Sequence, residues 1–209
     1  MNDKNLIPVW DIFVRVFHWS LVLAFTIAYL TEDDFEDLHV YAGYVVLGLI
    51  CYRVIWGFIG SSYARFSNFV YPISEVKSYL SSLLTRNPKH YLGHNPAGGM
   101  MIIALLVSLF AATISGLKIY GVQGYGPLAN NGIDISIISE ARAHGENKHE
   151  DDEEKEESEE EEFWEEIHEF FANFTLLLVF VHIAGVFVSS RIHGENLVRA
   201  MITGKKEEK

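Results

Sequence analysis

The chain has 209 residues, 49% of them hydrophobic, with a mean hydropathy of +0.14 and a formal net charge of −12. That charge excludes nucleic acid as a partner, because a polyanion would be repelled. A single cysteine excludes a disulfide within the chain, a CxxC zinc knuckle, an iron–sulfur ligand set and a CxxCH haem attachment.

The apolar residues collect in four runs. Residues 13–30 carry Arg15 and His18 but no other charged or imidazole side chain, and residues 38–59 carry only His39 and Arg53. Residues 97–117 hold no charge, and the apolar part of the fourth run, 164–190, keeps only His182 beyond residue 169. Runs of about 18–22 apolar residues with no polar face predict transmembrane helices. The expected architecture is an all-α membrane protein, a four-transmembrane-helix bundle forming a single membrane domain over 1–209. The first run reads as a retained span, because it is long, holds a histidine and lacks a small-residue cleavage site. Cys51, within the second span, is expected to serve packing. No GxGxxG, Walker A or nucleophile-elbow pattern occurs, so no catalytic residue is assigned.

The loops set the orientation. Residues 31–37 read TEDDFED with no base, whereas residues 57–96 carry Arg65, Lys77, Arg86 and Lys89. The C-terminal stretch adds Arg191, Arg199, Lys205 and Lys206. Lys and Arg collect on the cytoplasmic side, which predicts cytoplasmic N and C termini and a cytoplasmic middle loop.

His168 and His182 stand fourteen residues apart, which leaves them on one helix face and about 21 Å apart along the axis. With span directions assigned, depth pairs His18 with His182 near the cytoplasm and His39 with His168 near the periplasm. Two sites, each with imidazoles from two helices, predict two bis-histidine haems in a four-helix bundle. Gly43, one turn beyond His39, is where a flat macrocycle could approach the backbone, as are Ala172 and Gly185 beside the other ligands. Arg53 shares the His39 stripe at the depth of the cytoplasmic site, where a haem propionate is a natural partner for an intramembrane cation. Arg15, one turn before His18, can reach a propionate or extend to the headgroups, the latter being favoured. His90, His94, His193, His144 and His149 are expected to be solvated or locally hydrogen-bonded.

Residues 140–162 hold thirteen acids and three bases. Such a block repels itself and is expected to be a disordered or extended periplasmic loop segment. It reads as a solvated loop without a specific role or as a surface that steers a basic soluble electron carrier, and the embedded His144 and His149 also permit weak cation binding, the least favoured of the three.

As a set, these residues resemble the bacterial cytochrome b561 and nickel–iron hydrogenase b-subunit family, the membrane di-haem cytochromes b. The likeness runs along nearly the whole chain. It comprises Val9-Trp10-Asp11 with Arg15 and His18-Trp19; His39, Gly43, Arg53 and Trp56-Gly57; Gly93-His94-Asn95-Pro96; and His168, Asn173, His182, Gly185, His193-Gly194-Glu195-Asn196 and Met201-Ile202-Thr203-Gly204. Phe13 stands where a proline often precedes the first helix, and the long acidic segment is not part of the pattern. The resemblance implies two non-covalent haem b groups with His18, His39, His168 and His182 as axial ligands. It implies a bacterial cytoplasmic (inner) membrane protein that moves electrons between a membrane quinone and a periplasmic c-type cytochrome or other redox subunit. At most such a protein performs a quinol/quinone oxidoreductase half-reaction. The alternative within the class is the membrane-anchoring cytochrome b subunit of a hydrogenase-like enzyme. Outside the class, intramembrane histidines and a His/acid-rich loop would suit a metal or proton transporter.

Overall fold

Long apolar runs and well-placed caps dictate the local structure. The computed structural model describes residues 6–32, 35–85, 88–129 and 148–207, with backbone alone at 84 and 148–158. A strand β1 (Leu6–Pro8) leads into α1 (Ile12–Leu30) and α2 (Glu36–Ile59). A 3-10 turn (Phe66–Asn68) and α3 (Ile73–Leu84) precede α4 (Pro96–Val122). Helices α5 (Lys148–His193) and α6 (Leu197–Thr203) and strand β2 (Lys205–Glu207) follow.

Four of these helices are long and apolar enough to cross a membrane: α1, α2, α4 and the Glu159–His193 part of α5. Leu23, Ile55, Phe58, Val107, Phe180 and Phe187 point outward and are exposed. An apolar belt of that extent is unfavourable in water and suits the roughly 30 Å hydrocarbon layer of a bilayer. Cys51 also lies on this exposed surface rather than in the packed interior. Its small apolar side chain is tolerated there because lipid is no more polar than a protein core.

Helix α1 packs on α2, α2 on α4, and α4 on α5. Ala24, Val46, Ile50 and Leu109 bring the first three together in one buried cluster. Between α4 and α5, the hydroxyls of Ser108 and Thr175 hydrogen-bond at 2.7 Å, both residues almost wholly buried. Polar pairs of this kind hold membrane helices in register, since lipid offers no alternative partner.

The ends of α1 and α6 are joined by a small sheet. β1 and β2 pair antiparallel, Ile7 opposite Lys206, and the Val9 and Trp10 N–H groups donate to the Gly204 carbonyl at 2.8 and 3.0 Å. Gly204 ends α6 in the left-handed region (φ +81°), and a Cβ there would stand 2.6 Å from the Trp10 carbonyl. Only glycine satisfies both demands. Glu195 fastens the same end, accepting from His90 and lying 3.4 Å from the Lys206 ammonium. Burial works to raise its pKa, but His90 and Lys206 outweigh that and hold it below the usual carboxylate range.

Two stretches differ from the reading of the sequence. Residues 57–96 contain helix α3, because Val76 and Tyr79, three apart, bury one shared face. Of the acidic segment, residues 140–147 lie outside the described residues, but from Lys148 the backbone is helical and continuous with the fourth span. Glu and Lys are good helix formers, and negative charge in the first turns complements the helix dipole. At 46 residues α5 is about 69 Å long, so its acidic end extends well beyond the apolar belt.

Asp11 starts α1. Its carboxylate accepts the Val14 N–H at 2.8 Å, the Trp56 indole N–H at 3.2 Å and the Ser61 hydroxyl. Burial would raise its pKa, yet these donors hold it below the usual carboxylate range. Asp11→Ala is therefore expected to cost about 1–3 kcal/mol, read as a lower melting temperature in detergent. A depressed carboxylate contributes its stability at neutral pH and loses it as pH falls through the folded pKa. The gap between wild type and variant should accordingly narrow in acid.

Candidate functional site

The helical period puts His168 and His182 on one stripe of α5, and neighbouring helices supply a second imidazole at each level. His39 of α2 faces His168 with ring centroids 5.9 Å apart, and His18 of α1 faces His182 at 6.5 Å. All four side chains are half-buried. Two imidazoles bound to one metal, with metal–nitrogen bonds of about 2 Å, would have centroids roughly 6 Å apart. Both separations fit that arrangement.

Orientation of the rings at the His39/His168 level comes from backbone. The His168 Nδ1–H donates to the Ala112 carbonyl of α4 at 2.8 Å, and the His39 Nδ1–H to the Ala28 carbonyl of α1 at 2.9 Å. A carbonyl only accepts, so each proton sits on Nδ1 and each Nε2 keeps its lone pair. That tautomer is the one a metal requires, and the hydrogen bond makes the nitrogen a stronger ligand. The Ser115 hydroxyl lies 3.4 Å from the same His168 Nδ1.

These two rings border an apolar cavity of about 790 Å³ including its mouth, with His39, Gly43, Ala112, Gly116, His168 and Ala172 in its walls. A Cβ at Gly43 would meet nothing within 4 Å, so the backbone there borders open space. Gly185 likewise has no neighbour within 4 Å of a Cβ. Gly116 is different, since a Cβ there would stand 2.9–3.0 Å from the His168 ring. Helix α4 can approach this imidazole only with glycine at 116.

The His18/His182 level is polar at its outer end. His18 Nδ1 is buried without a partner. Arg53 is only 3% exposed; its guanidinium lies over Phe66 and Phe69 at 5.1 and 5.6 Å and donates to the Ala64 carbonyl at 3.0 Å. One of its terminal nitrogens, Nη1, is buried and unpartnered. Arg15 donates to the Ile202 carbonyl of α6, and its Nε is also unpartnered. The pull is the free carbonyls at the end of α6. Among the described residues, neither guanidinium has a carboxylate within ion-pair distance.

His94 departs from the expected solvated or locally hydrogen-bonded role. The loop before α4 folds it against Trp10 (4.4 Å between centroids) and Phe69 (4.9 Å), with Nδ1 buried and unpartnered. Burial, reinforced by Arg53, Lys206 and His182, pushes its pKa down to about 3, so the ring is neutral at physiological pH. His90 pairs with Glu195, and His193 Nε2 lies 3.4 Å from the Tyr79 hydroxyl, as local partnering predicts. His144 lies outside the described residues, and His149 is described in backbone only.

These features suit a flat, metal-centred group carrying carboxylates: opposed imidazoles about 6 Å apart, small-residue walls, and unpartnered guanidinium donors at one end. Reasoning from sequence did not find Gly116 or the Ala28 and Ala112 carbonyls. A glycine in an uncharged span is a weak signal, and a backbone carbonyl leaves none.

A family model described as prokaryotic cytochrome b561 matches residues 9–204. The chain is 33% identical over 157 residues to a probable Ni/Fe-hydrogenase B-type cytochrome subunit of Azotobacter vinelandii. It is 32% identical over 157 residues to the protein of that description in Azotobacter chroococcum mcd 1. Each match covers 60% of this chain and 64% of the relative, so the chain spans a little under two thirds of the length of these curated proteins. No solved structure matches the chain.

Proposed function

The chain belongs to the prokaryotic cytochrome b561 family, and from that premise we propose that it carries electrons across the bacterial cytoplasmic membrane through two haem b groups. It is a multi-pass membrane protein by family and by its four apolar helices. His18 with His182, and His39 with His168, would hold the two groups, with Arg53, Arg15 and Gly43 as further contacts. The observation that carries this reading is the facing of two imidazole pairs from different helices, 5.9 and 6.5 Å apart. Bound haem b supplies a one-electron couple whose potential is set by ligands, hydrogen bonds and burial.

The chain's own residues do the rest. The Ala28 and Ala112 carbonyls orient the His39 and His168 rings. Ser108 of α4 and Thr175 of α5, the latter between His168 and His182, keep the two helices in register. The outward apolar surfaces exclude water from the interior and seat the bundle in lipid. Basic residues concentrated in 57–96 and 191–206 support cytoplasmic termini. Pyridine haemochrome analysis of the purified protein should return close to two extractable haems per polypeptide. A value near zero or one in folded protein overturns the reading.

The partners we propose are a membrane quinone and a periplasmic c-type cytochrome. The second partner rests on the acidic segment, 140–162, where neutralising residues 150–162 should slow electron exchange with a basic c-type cytochrome by about tenfold at low salt. The salt dependence should flatten, with haem content unchanged, because screening acts over about 8–10 Å at physiological ionic strength. Stopped-flow oxidation across a salt series checks it, and equal rates and slopes would leave the segment without this role. The relatives' description as hydrogenase cytochrome subunits favours a second reading, the membrane-anchoring subunit of a hydrogenase-like enzyme. Co-purification of a large redox partner from the native host would select it.

A further inference from the structure

The two histidine levels are electrostatically unequal, and the difference lies in residues the ligand pairing does not use. Around His18/His182, three buried nitrogens lack partners: Arg15 Nε, Arg53 Nη1 and His94 Nδ1. Arg53 and His94 share one aromatic neighbour, and Arg15 stands at the adjoining Trp10–Gly204 contact. Arg53 and His94 both pack on the Phe69 ring, at 5.6 and 4.9 Å. Trp10 links His94 to Arg15: its ring lies 4.4 Å from His94, and a Cβ built on Gly204 would lie 2.6 Å from its carbonyl and 3.2 Å from Arg15 Nη1. Among the described residues the two guanidiniums have no carboxylate at ion-pair distance, and beside them stands an imidazole whose Nδ1 donates when it carries the ring proton, a set of groups suited to an anion. The nearby Lys206 is already offset by Glu195 at 3.4 Å, and Asp11 is engaged by Val14, Trp56 and Ser61.

The His39/His168 level has the opposite character. Its cavity lining holds Glu32 and no Lys or Arg. Both of its imidazoles give their Nδ1–H to backbone carbonyls, which strengthens them as donors to an oxidised metal. His18 has no such acceptor.

We propose that Arg15, Arg53 and His94 form one carboxylate receptor for the haem propionates at the His18/His182 site, and that this makes it the higher-potential of the two sites. The proposal rests on the two-haem reading above. Positive charge near a redox centre favours the state that has gained an electron, whereas a basic, carbonyl-bonded ligand and a nearby acid favour the state that has lost one. Electrons entering at His39/His168 would therefore settle at the end of the bundle closed by the β1–β2 sheet.

Spectroelectrochemical titration of the holoprotein tests this, with the haem count measured on the same sample. Wild type should titrate as two one-electron components. His39→Ala should keep the higher component and His18→Ala the lower. Arg53→Gln and His94→Leu should each shift only the higher component downward, by roughly tenfold in the reduced-to-oxidised ratio, or about 59 mV. Arg53→Lys and His94→Gln, which retain a charge or a donor, should recover most of the shift, separating a receptor from a merely structural role. A haem count of two with the reverse order, or an equal shift of both components, overturns the proposal alone. A count of zero or one overturns the two-haem reading and the proposal with it.

Discussion

Replacing His39 or His168 with alanine is expected to leave one haem per chain, and replacing both is expected to leave the same one. His18→Ala, His182→Ala and their double variant should retain the other. A double variant across levels, such as His18→Ala with His39→Ala, should lose both. This pattern follows from the two ring separations, 5.9 Å for His39–His168 and 6.5 Å for His18–His182. Losing one axial imidazole forfeits the shared site, so a second loss at the same level adds little, whereas losses at different levels add. Haemochrome quantification with low-temperature spectra of each variant is the measurement. Retention of one haem by the cross-level double variant would show that the pairs are wrongly assigned.

Gly116→Leu is expected to empty the His39/His168 site while leaving the other filled. A Cβ alone would come within 2.9 Å of His168 Cε1 and 3.0 Å of Nδ1. The ring cannot retreat without giving up its 2.8 Å bond to the Ala112 carbonyl. Overpacking of this kind costs about 1–3 kcal/mol even where the neighbour can move. A graded series should appear: Gly116→Ala perturbs the spectrum or partly lowers occupancy, and the larger leucine reduces haem content towards one per chain. Val107→Leu, at a position 61% exposed on the outer face of the same helix, should change nothing. Full haem content in Gly116→Leu would mean that α4 does not confine His168.

Much of the candidate site was legible before folding because a membrane restricts what a helix can do. His168 and His182 had to share a face by helical period, and depth matching could then pair them with His39 and His18. The third span, with no histidine, gave no hint of its part, although it supplies the carbonyl and the glycine that hold His168. For His94 the loop position predicts a solvated or locally hydrogen-bonded ring, since a loop histidine near the surface usually is one or the other. Its burial against Trp10 and Phe69 requires the N-terminal segment and the 3-10 turn region to meet the loop before α4.

The sequence by itself determined four apolar helices, their lengths and the stripe that aligns the histidines. Lipid gives the backbone no hydrogen-bonding alternative to the helix, so length and apolarity suffice to specify the element. The tertiary structure alone decided which carbonyl orients each ring, where Arg15 and Arg53 leave donors unpartnered, and that β1 and β2 close the bundle through Gly204. Those features arise from contacts between residues far apart in the chain, many through backbone atoms that every residue carries alike. No local pattern can encode such contacts; they follow from how the helices pack.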